Sequence, residues 1–485
     1  MSISTTLSNA LSGLTAASRS AQVVSSNVSN AMTEGYTRRE IVLSARSVGG
    51  VGAGVRVDGV DRVVDDVLIR ERRLSSSALQ ETTEINRFYE EALKLMGEPQ
   101  DPSSLVARTG ELDRSLLAAT SRPESEARLH DVLNAATSLT DKLNDASDRV
   151  QGLRQDADRE IEQDVSRLNQ SLQQVADLNA QILRAQATDQ DYPGLLDNRQ
   201  NLIDEISGLI PVRELVRDND TVALYSMNGA MLVDARPAQF EFAVTGLITA
   251  DMTLASGALS GLTLNGVEVP IGGPHSPIAG GRLSGLFAVR DEHAPALQDD
   301  LDVMARDLVS RFEDPTMDPT LAAGDAGLFT DNGAALDPGN VIGLAARLSV
   351  NAAVNPAEGG AVWRLRDGVG AAAMGPVGDP GLLDAMHQRL SDRIAPLGGS
   401  LSAAERTVTG FASDILSSVG QSRQLSDARL SFQQAHHSGL DEAVMALGVD
   451  TDQELQKLLL VEQAYAANAR VIQTADELIQ LLIGL

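Results

Sequence analysis

The 485-residue sequence contains no cysteine. Disulfide bonds, thiol catalysis and zinc–thiolate sites are therefore excluded. Aromatic residues are scarce, at 3% with a single tryptophan, although 43% of residues are hydrophobic. The interior must then be built from Leu, Val, Ile and Ala, which favours helix packed on helix over an aromatic-rich sandwich. Positive charge is also short: Lys94, Lys142 and Lys457 are the only lysines, and the net charge is -28. Such a surface repels phosphate backbones and anionic lipid, so neither nucleic acid nor membrane is expected as a partner. No apolar run approaches the roughly 20 residues needed to span a bilayer. The opening "MSISTTLSNALSGLTAASRSA" lacks a basic n-region and is broken by Ser, Asn and Gly, so it does not read as a cleaved secretory signal. A cysteine-free chain suits export in the unfolded state.

Catalytic motifs are missing as well. A phosphate-binding loop needs Lys after Gly, and the lysines here follow Leu93, Asp141 and Gln456. Neither H-E-x-x-H nor G-x-S-x-G occurs. The stretch "GGVGAGVRVDG" lacks the G-x-G-x-x-G spacing and reads as a flexible hairpin bend. The adjacent pair His436–His437 would point about 100° apart on a helix, a poor arrangement for sharing a metal. Among 67 carboxylates no pair stands out as an acid/base couple. The expectation is a non-enzyme with no metal and no cofactor.

What the sequence does contain is heptads at both ends. Ile3, Leu7, Ala10, Leu14, Ala17, Ala21, Val24, Val28 and Ala31 alternate steps of four and three, the seam of a coiled coil. Leu458, Val461, Tyr465, Asn468, Ile472, Ala475, Ile479 and Leu482 do the same near the other end. Burying a large aliphatic side chain stabilises by roughly 1.5–3 kcal/mol, so leaving such stripes in water would forgo on the order of ten kcal/mol. Something must cover them. Asn468 inside the seam would weaken a simple dimer but fix its register.

Between the heptads, Gly35 stops the first helix and two strand-like runs follow around a Gly-rich bend. Helical periodicity dominates from there to about residue 210, with an especially long run from Pro123 to Thr188. From Pro211 to Ser284 the period changes to two, and Asn-Gly sits between alternating apolar residues in "VALYSMNGAMLVD" and "LTLNGVEVPI". The predicted fold is mainly α with an inserted antiparallel β domain. Its terminal helices pair as a coiled coil. Residues 1–34 and 452–485 are expected to form that coiled-coil domain. Residues 35–210, 285–313 and 381–451 would form a helical bundle, 211–284 a β-hairpin-rich domain, and 314–380 a region of loops and short strands.

"NALSGLTAASRSAQVVSSNVSNAMTEGYTRRE" resembles the N-terminal signature of flagellar axial proteins: a small-residue heptad helix, Asn-x-x-Asn, then a Gly-aromatic break. "EQAYAANARVIQTADEL" resembles their C-terminal signature. Within that class, "GYTRRE", "GAGVRVDGVDRVVDDVLIRERR", "LLDNRQNLIDEISGLIPV" and "GGRLSGLFAVRDEHAPALQDDLDVMARDLVSRF" resemble the hook-associated protein 1 family. The acidic stretch usual before its last helix stands here as "VDTDQELQ". The resemblance implies a non-enzymatic structural component of the bacterial flagellum at the hook–filament junction. Export would use the flagellar type III route to the cell exterior, without a cleaved signal. It implies terminal helices that are disordered in the free monomer and order on assembly. The implied partners are a ring of identical subunits, the hook protein, the second junction protein, and a cytosolic export chaperone at the C-terminal helix. The residues carrying these roles would be the two seams, Asn27, Asn30, Gly35 and Tyr36 at the helix break, and Arg470. Another axial component, such as a hook or distal-rod protein, and a secreted coiled-coil effector or adhesin are the competing readings.

Overall fold

A computed structural model describes residues 3–48, 51–98, 100–188, 190–273, 275–395 and 404–483. Helix α1 (Ile3–Asn30) leads through a turn into the antiparallel hairpin β1 (Arg39–Val48) and β2 (Val51–Arg62). Asp65 then opens α2 (Asp66–Met96), its carboxylate accepting from the backbone N–H groups of Val67 and Leu68 at 3.0 Å. That is N-capping. Ser104 caps α3 (Leu105–Thr120) in the same manner, and α4 (Glu126–Ala187) and α5 (Pro193–Leu209) follow. Strands β3 (Val212–Val216), β4 (Val222–Ser226), β5 (Met231–Val233), β6 (Phe240–Glu241), β7 (Leu262–Leu264) and β8 (Val267–Val269) occupy the region of period two.

Helix α6 (Arg282–Ala288) continues through a π turn, Val289–His293, into α7 (Ala294–Phe312). Next come β9 (Phe329–Asp331), the one-turn helix α8 (Leu344–Arg347), β10 (Leu348–Val350) and another one-turn helix, α9 (Arg364–Asp367). The chain closes with α10 (Gly381–Ser391), α11 (Val408–Met445) and α12 (Thr451–Ile483). The fold is mainly α with small antiparallel sheets, as the composition and periodicities predict.

Two compact units divide the chain. One comprises Met1–Ser77, Asn169–Ala238 and Gln434–Leu485; the other comprises Ala78–Leu168 and Gln239–Gln433. Three of the four divisions fall inside α2, α4 and α11, where segmentation by linker composition does not find them, and the fourth lies between β5 and β6. They also split the β region. The six strands make two separate three-stranded sheets, β3-β4-β5 in the first unit and β6-β7-β8 in the second. Period two reports that a segment is a strand but not which sheet receives it. The two Asn-Gly pairs differ in the same way. Asn265–Gly266 is a two-residue turn with both φ angles positive (53° and 77°), while the Asn228–Gly229 connection is longer and only Gly229 is left-handed (φ 88°).

The second unit has a dense apolar core along α4 and α7. Leu129, Leu143, Val150, Ile161 and Leu168 of the long helical run are fully or almost fully buried, together with Leu301, Leu308 and Phe312 of α7. Arg290 is completely buried there, paired with Asp158 at 2.7 Å and flanked by the Phe287 and Phe242 rings. The weakly periodic stretch 314–380 is ordered by side-chain caps. Asp318 accepts from the N–H groups of Thr320 (3.0 Å) and Val369 (2.8 Å), while Leu328, Phe329, Leu344 and Leu365 are buried. Among the described residues no helix is long and apolar enough to cross a membrane.

Candidate assembly interface

Helices α1 and α12 belong to the first unit and pack along each other. Their register can be read from two contacts. Gly13 of α1 lies so close to Asn468 that a Cβ placed there would sit 2.7 Å from its side-chain oxygen. Fourteen residues further along α1, the Asn27 side-chain amide donates to Glu454, fourteen residues back along α12, at 2.9 Å. The helices are therefore antiparallel with no slip between those points. Glycine inside a helix destabilises it by about 1 kcal/mol relative to Ala, so its presence at position 13 reflects this close approach.

The α1 seam is covered along its length. Ala10, Ala17 and Val24 are buried, and Ile3, Leu7, Leu14, Ala21, Val28 and Ala31 are half-buried. On α12, Ala475 is buried and Leu458, Val461, Asn468, Ile472 and Ile479 are half-buried, while Tyr465 and Arg470 face solvent. The side chain of Leu482 lies outside the described residues. Asn468 spends its own amide on the Ala464 carbonyl at 2.9 Å, one turn back on α12.

Asn27 is the hub of the helix break. It is completely buried, and every hydrogen-bonding atom of its amide is used. Its Nδ2 donates to the Arg39 carbonyl and to Glu454 Oε2, both at 2.9 Å. Its Oδ1 accepts from the Arg39 N–H at 3.0 Å and the Tyr36 hydroxyl at 2.9 Å. Glu454, 1% exposed, is paired in turn with Lys457 at 3.0 Å, and Lys457 reaches Glu40 of β1 at 3.4 Å. One side chain thus ties the end of α1, the start of β1 and the first turn of α12. Asn30 does something different: its amide returns to the Ser26 carbonyl at 2.9 Å and holds only its own helix end.

Gly35 is required for two reasons. Its φ is +74°, and a Cβ would stand 2.1 Å from the Asn201 side chain of α5. Behind the break, Arg39 stacks over the Tyr36 ring at 4.8 Å and pairs with Asp197 at 3.1 Å. Arg62 of β2 shares Asp197 at 2.8 Å. Arg73 is buried between Asp204 and Glu214, at 2.5 and 2.6 Å. Burial disfavours its charge, yet the two carboxylates more than reverse this and hold the guanidinium above its ordinary pKa. The β1–β2 hairpin is clamped on α1 by Ser12, whose hydroxyl accepts from the Val55 N–H at 3.1 Å, beside Gly54 with φ +96°. Sequence reasoning reached Asn27, Gly35 and Tyr36 but missed Glu454, Gly13 and Asn201. A lone glycine inside a heptad helix was the available signal for Gly13. Nothing local distinguishes Glu454 from its acidic neighbours.

Three family descriptions match this chain. Residues 89–327 match the flagellar hook-associated protein FlgK helical domain, 7–37 the flagella basal body rod protein, and 442–485 the flagellar basal body rod FlgEFG protein C-terminal segment. Flagellar hook-associated protein 1 of Bacillus subtilis strain 168 is 22% identical over 522 aligned residues, covering 99% of this chain and 97% of that protein. The chain is similar to the flagellar hook-associated protein 1 (FlgK) family. The Salmonella typhimurium LT2 member is 28% identical over 323 residues, covering 64% of this chain but 56% of its own length. The chain therefore spans little more than half of that relative. The FlgK hook junction protein of Burkholderia pseudomallei, a solved structure, aligns with a TM-score of 0.44 at 17% identity, over 54% of this chain and 47% of that one. The two rod-type matches fall on the segments that contain α1 and α12, so the contact between Asn27 and Glu454 joins the two rod-like segments of this chain.

Proposed function

We propose that this chain is a structural subunit at the flagellar hook–filament junction, polymerising through its terminal helices. The observation that carries the reading is the antiparallel α1–α12 pair, locked at Asn27 and Glu454 beside the Gly35–Tyr36 break. Within one chain α12 is covered only on its α1-facing side, and repetition of subunits supplies the remaining cover. Residues 1–34 and 452–485 act as the assembly domain, ordering fully on incorporation, so that conformational entropy opposes premature polymers in the cytoplasm. Export proceeds by the flagellar type III route to the cell exterior. The partners are further copies of this chain, the hook protein, the second junction protein and a cytosolic chaperone on α12.

Deleting the gene in its own organism tests this. Intact hooks without filaments, with flagellin shed into the medium, is the expected phenotype. Loss of the hook itself would move the protein inward to a rod or hook position, the reading that the rod-type terminal segments favour second. Normal filaments and unchanged swimming would overturn the flagellar role.

A further inference from the structure

Three Asn-Gly pairs stand in the sequence, at Asn228, Asn265 and Asn332. Each lies in a turn, and each asparagine is exposed. In such a pair the side-chain amide is open to attack by the next backbone nitrogen, because glycine has no Cβ to shield it. The structure treats the three nitrogens differently. The Gly229 N–H donates to the Ser226 carbonyl at 3.0 Å, and the Gly333 N–H donates to the Thr330 hydroxyl at 2.9 Å. The Gly266 N–H has no partner among the described residues. A Cβ built on Gly266 would meet nothing within 4 Å, so the approach to this turn is open.

Asn265 is itself built into a strand ladder. Its backbone N–H donates to the Gln239 carbonyl at 2.7 Å, and its Oδ1 accepts from the Gln239 N–H at 2.8 Å, next to the pairing of Phe240 with Leu264. A backbone N–H held on a carbonyl oxygen favours the negative charge that gathers there when a nucleophile adds to the carbon, as in an oxyanion hole. The Asn265 Nδ2 makes no hydrogen bond among the described residues and is free to leave. A polarised carbonyl, an unbonded nucleophile and an unbonded leaving group therefore meet at one turn.

We infer that Asn265 is a self-modification site, at which the folded chain deamidates ahead of its other two Asn-Gly pairs. The Gly266 nitrogen gives its proton to solvent and bonds to Asn265 Cγ. The Cγ–Nδ2 bond breaks, and the side-chain nitrogen departs as ammonia, leaving a succinimide ring. One water then opens the ring. Attack at Cγ breaks the new Cγ–N bond and gives aspartate. Attack at the backbone carbonyl breaks the original peptide bond and gives isoaspartate, with the chain rerouted through the former side chain. Water is the only co-reactant. Both products add negative charge to a hairpin that already carries Glu268 opposite Thr263. Isoaspartate also adds a methylene to a two-residue turn, which the pairing of Leu264 with Val267 cannot accommodate. The modification thus loosens β7 and β8 irreversibly as the protein ages.

The full-length chain is aged in mildly alkaline buffer and digested, and aspartate and isoaspartate at the three sites are quantified by chromatography and mass spectrometry. Conversion at Asn265 should run at least about fivefold ahead of Asn228 and Asn332, the rate equivalent of the one neutral hydrogen bond that must break at each guarded glycine. In a urea-unfolded chain, which lacks those bonds, the three sites should convert at comparable rates. Thr330→Val removes the acceptor of the Gly333 N–H and should raise conversion at Asn332 several-fold without altering Asn265, whereas Thr330→Ser keeps the hydroxyl and should leave Asn332 at the wild-type rate. Aged wild type should lose amide protection in β7 and β8, and Asn265→Gln, compared with its own fresh sample, should not. Equal conversion at the three sites of the folded chain, or faster conversion at Asn228 or Asn332, would overturn the inference. An unchanged Asn332 rate in Thr330→Val, or an equal rise in Thr330→Ser, would remove the guarding bond on which it rests. Unaltered protection of β7 and β8 in a chain converted at Asn265 would refute the loosening.

Discussion

Replacing Asn27 by Ala should release α12 from the helix break. The substitution removes four hydrogen bonds made by one buried amide, three to neutral groups and one to the Glu454 carboxylate. A neutral bond contributes about 1 kcal/mol net and one to a charged group about 1.5–3 kcal/mol, so the sum approaches 5 kcal/mol. Relaxation and water entry will return part of it, leaving an expected loss of about 3–4 kcal/mol in the joined structure of the helix break and the first turn of α12. Amide hydrogen exchange resolved along the chain is the assay, because docking is a local opening that a whole-chain melting curve blurs. Protection should fall about a hundredfold or more in α12 and at the Arg39 N–H, with α4 and α7 of the second unit unchanged. A double-mutant cycle with Glu454→Ala isolates the pair, and the two losses should be clearly less than additive. If Asn27→Ala changed α12 protection by less than threefold, the four-bond hub would not be what holds the helices together, and the reasoning would fail.

Three further outcomes follow from the same structure. Gly13→Ala places a methyl against the Asn468 amide and should loosen the α1–α12 pair, and adding Asn468→Ala should restore it; absence of rescue would refute the close approach as the cause. Ile472→Asp with Ile479→Asp introduces charge into the half-buried seam and should cost roughly 3–5 kcal/mol of docking. Assembly should be abolished while thermal unfolding of the second unit stays as in the wild type, measured by sedimentation and calorimetry. Burial of His293, against the rings of Phe88 and Tyr89, lowers its pKa, with Glu292 opposing in part. The neutral form is therefore favoured in the folded state, and its contribution is present above the unfolded pKa of about 6.5 and lost as pH falls through the folded value. Denaturation of the second unit should show a stability loss below about pH 6.5 that His293→Gln diminishes; an identical pH slope in the variant would refute it.

Much of this was legible in the amino-acid order. Heptad steps at Ile3–Ala31 and Leu458–Leu482, the break at Gly35 and the change of period after Pro211 all arise from local rules: which face of a helix is apolar, where φ must be positive, how strands alternate. These rules act over a few residues and need no partner to be read. The tertiary structure alone decided what depends on distant residues. It chose Glu454, among the acids that open α12, as the mate of Asn27, a choice made by antiparallel register across 427 positions of sequence. It divided six similar strands between two sheets and cut the units inside continuous helices, because a strand's period is silent about its neighbours. It also separated the two faces of α12 into one stripe that α1 covers and one left open. Spacing by four and three is the same for both. Only the packing of one helix on another, which takes up one face and not its neighbour 100° away, tells them apart.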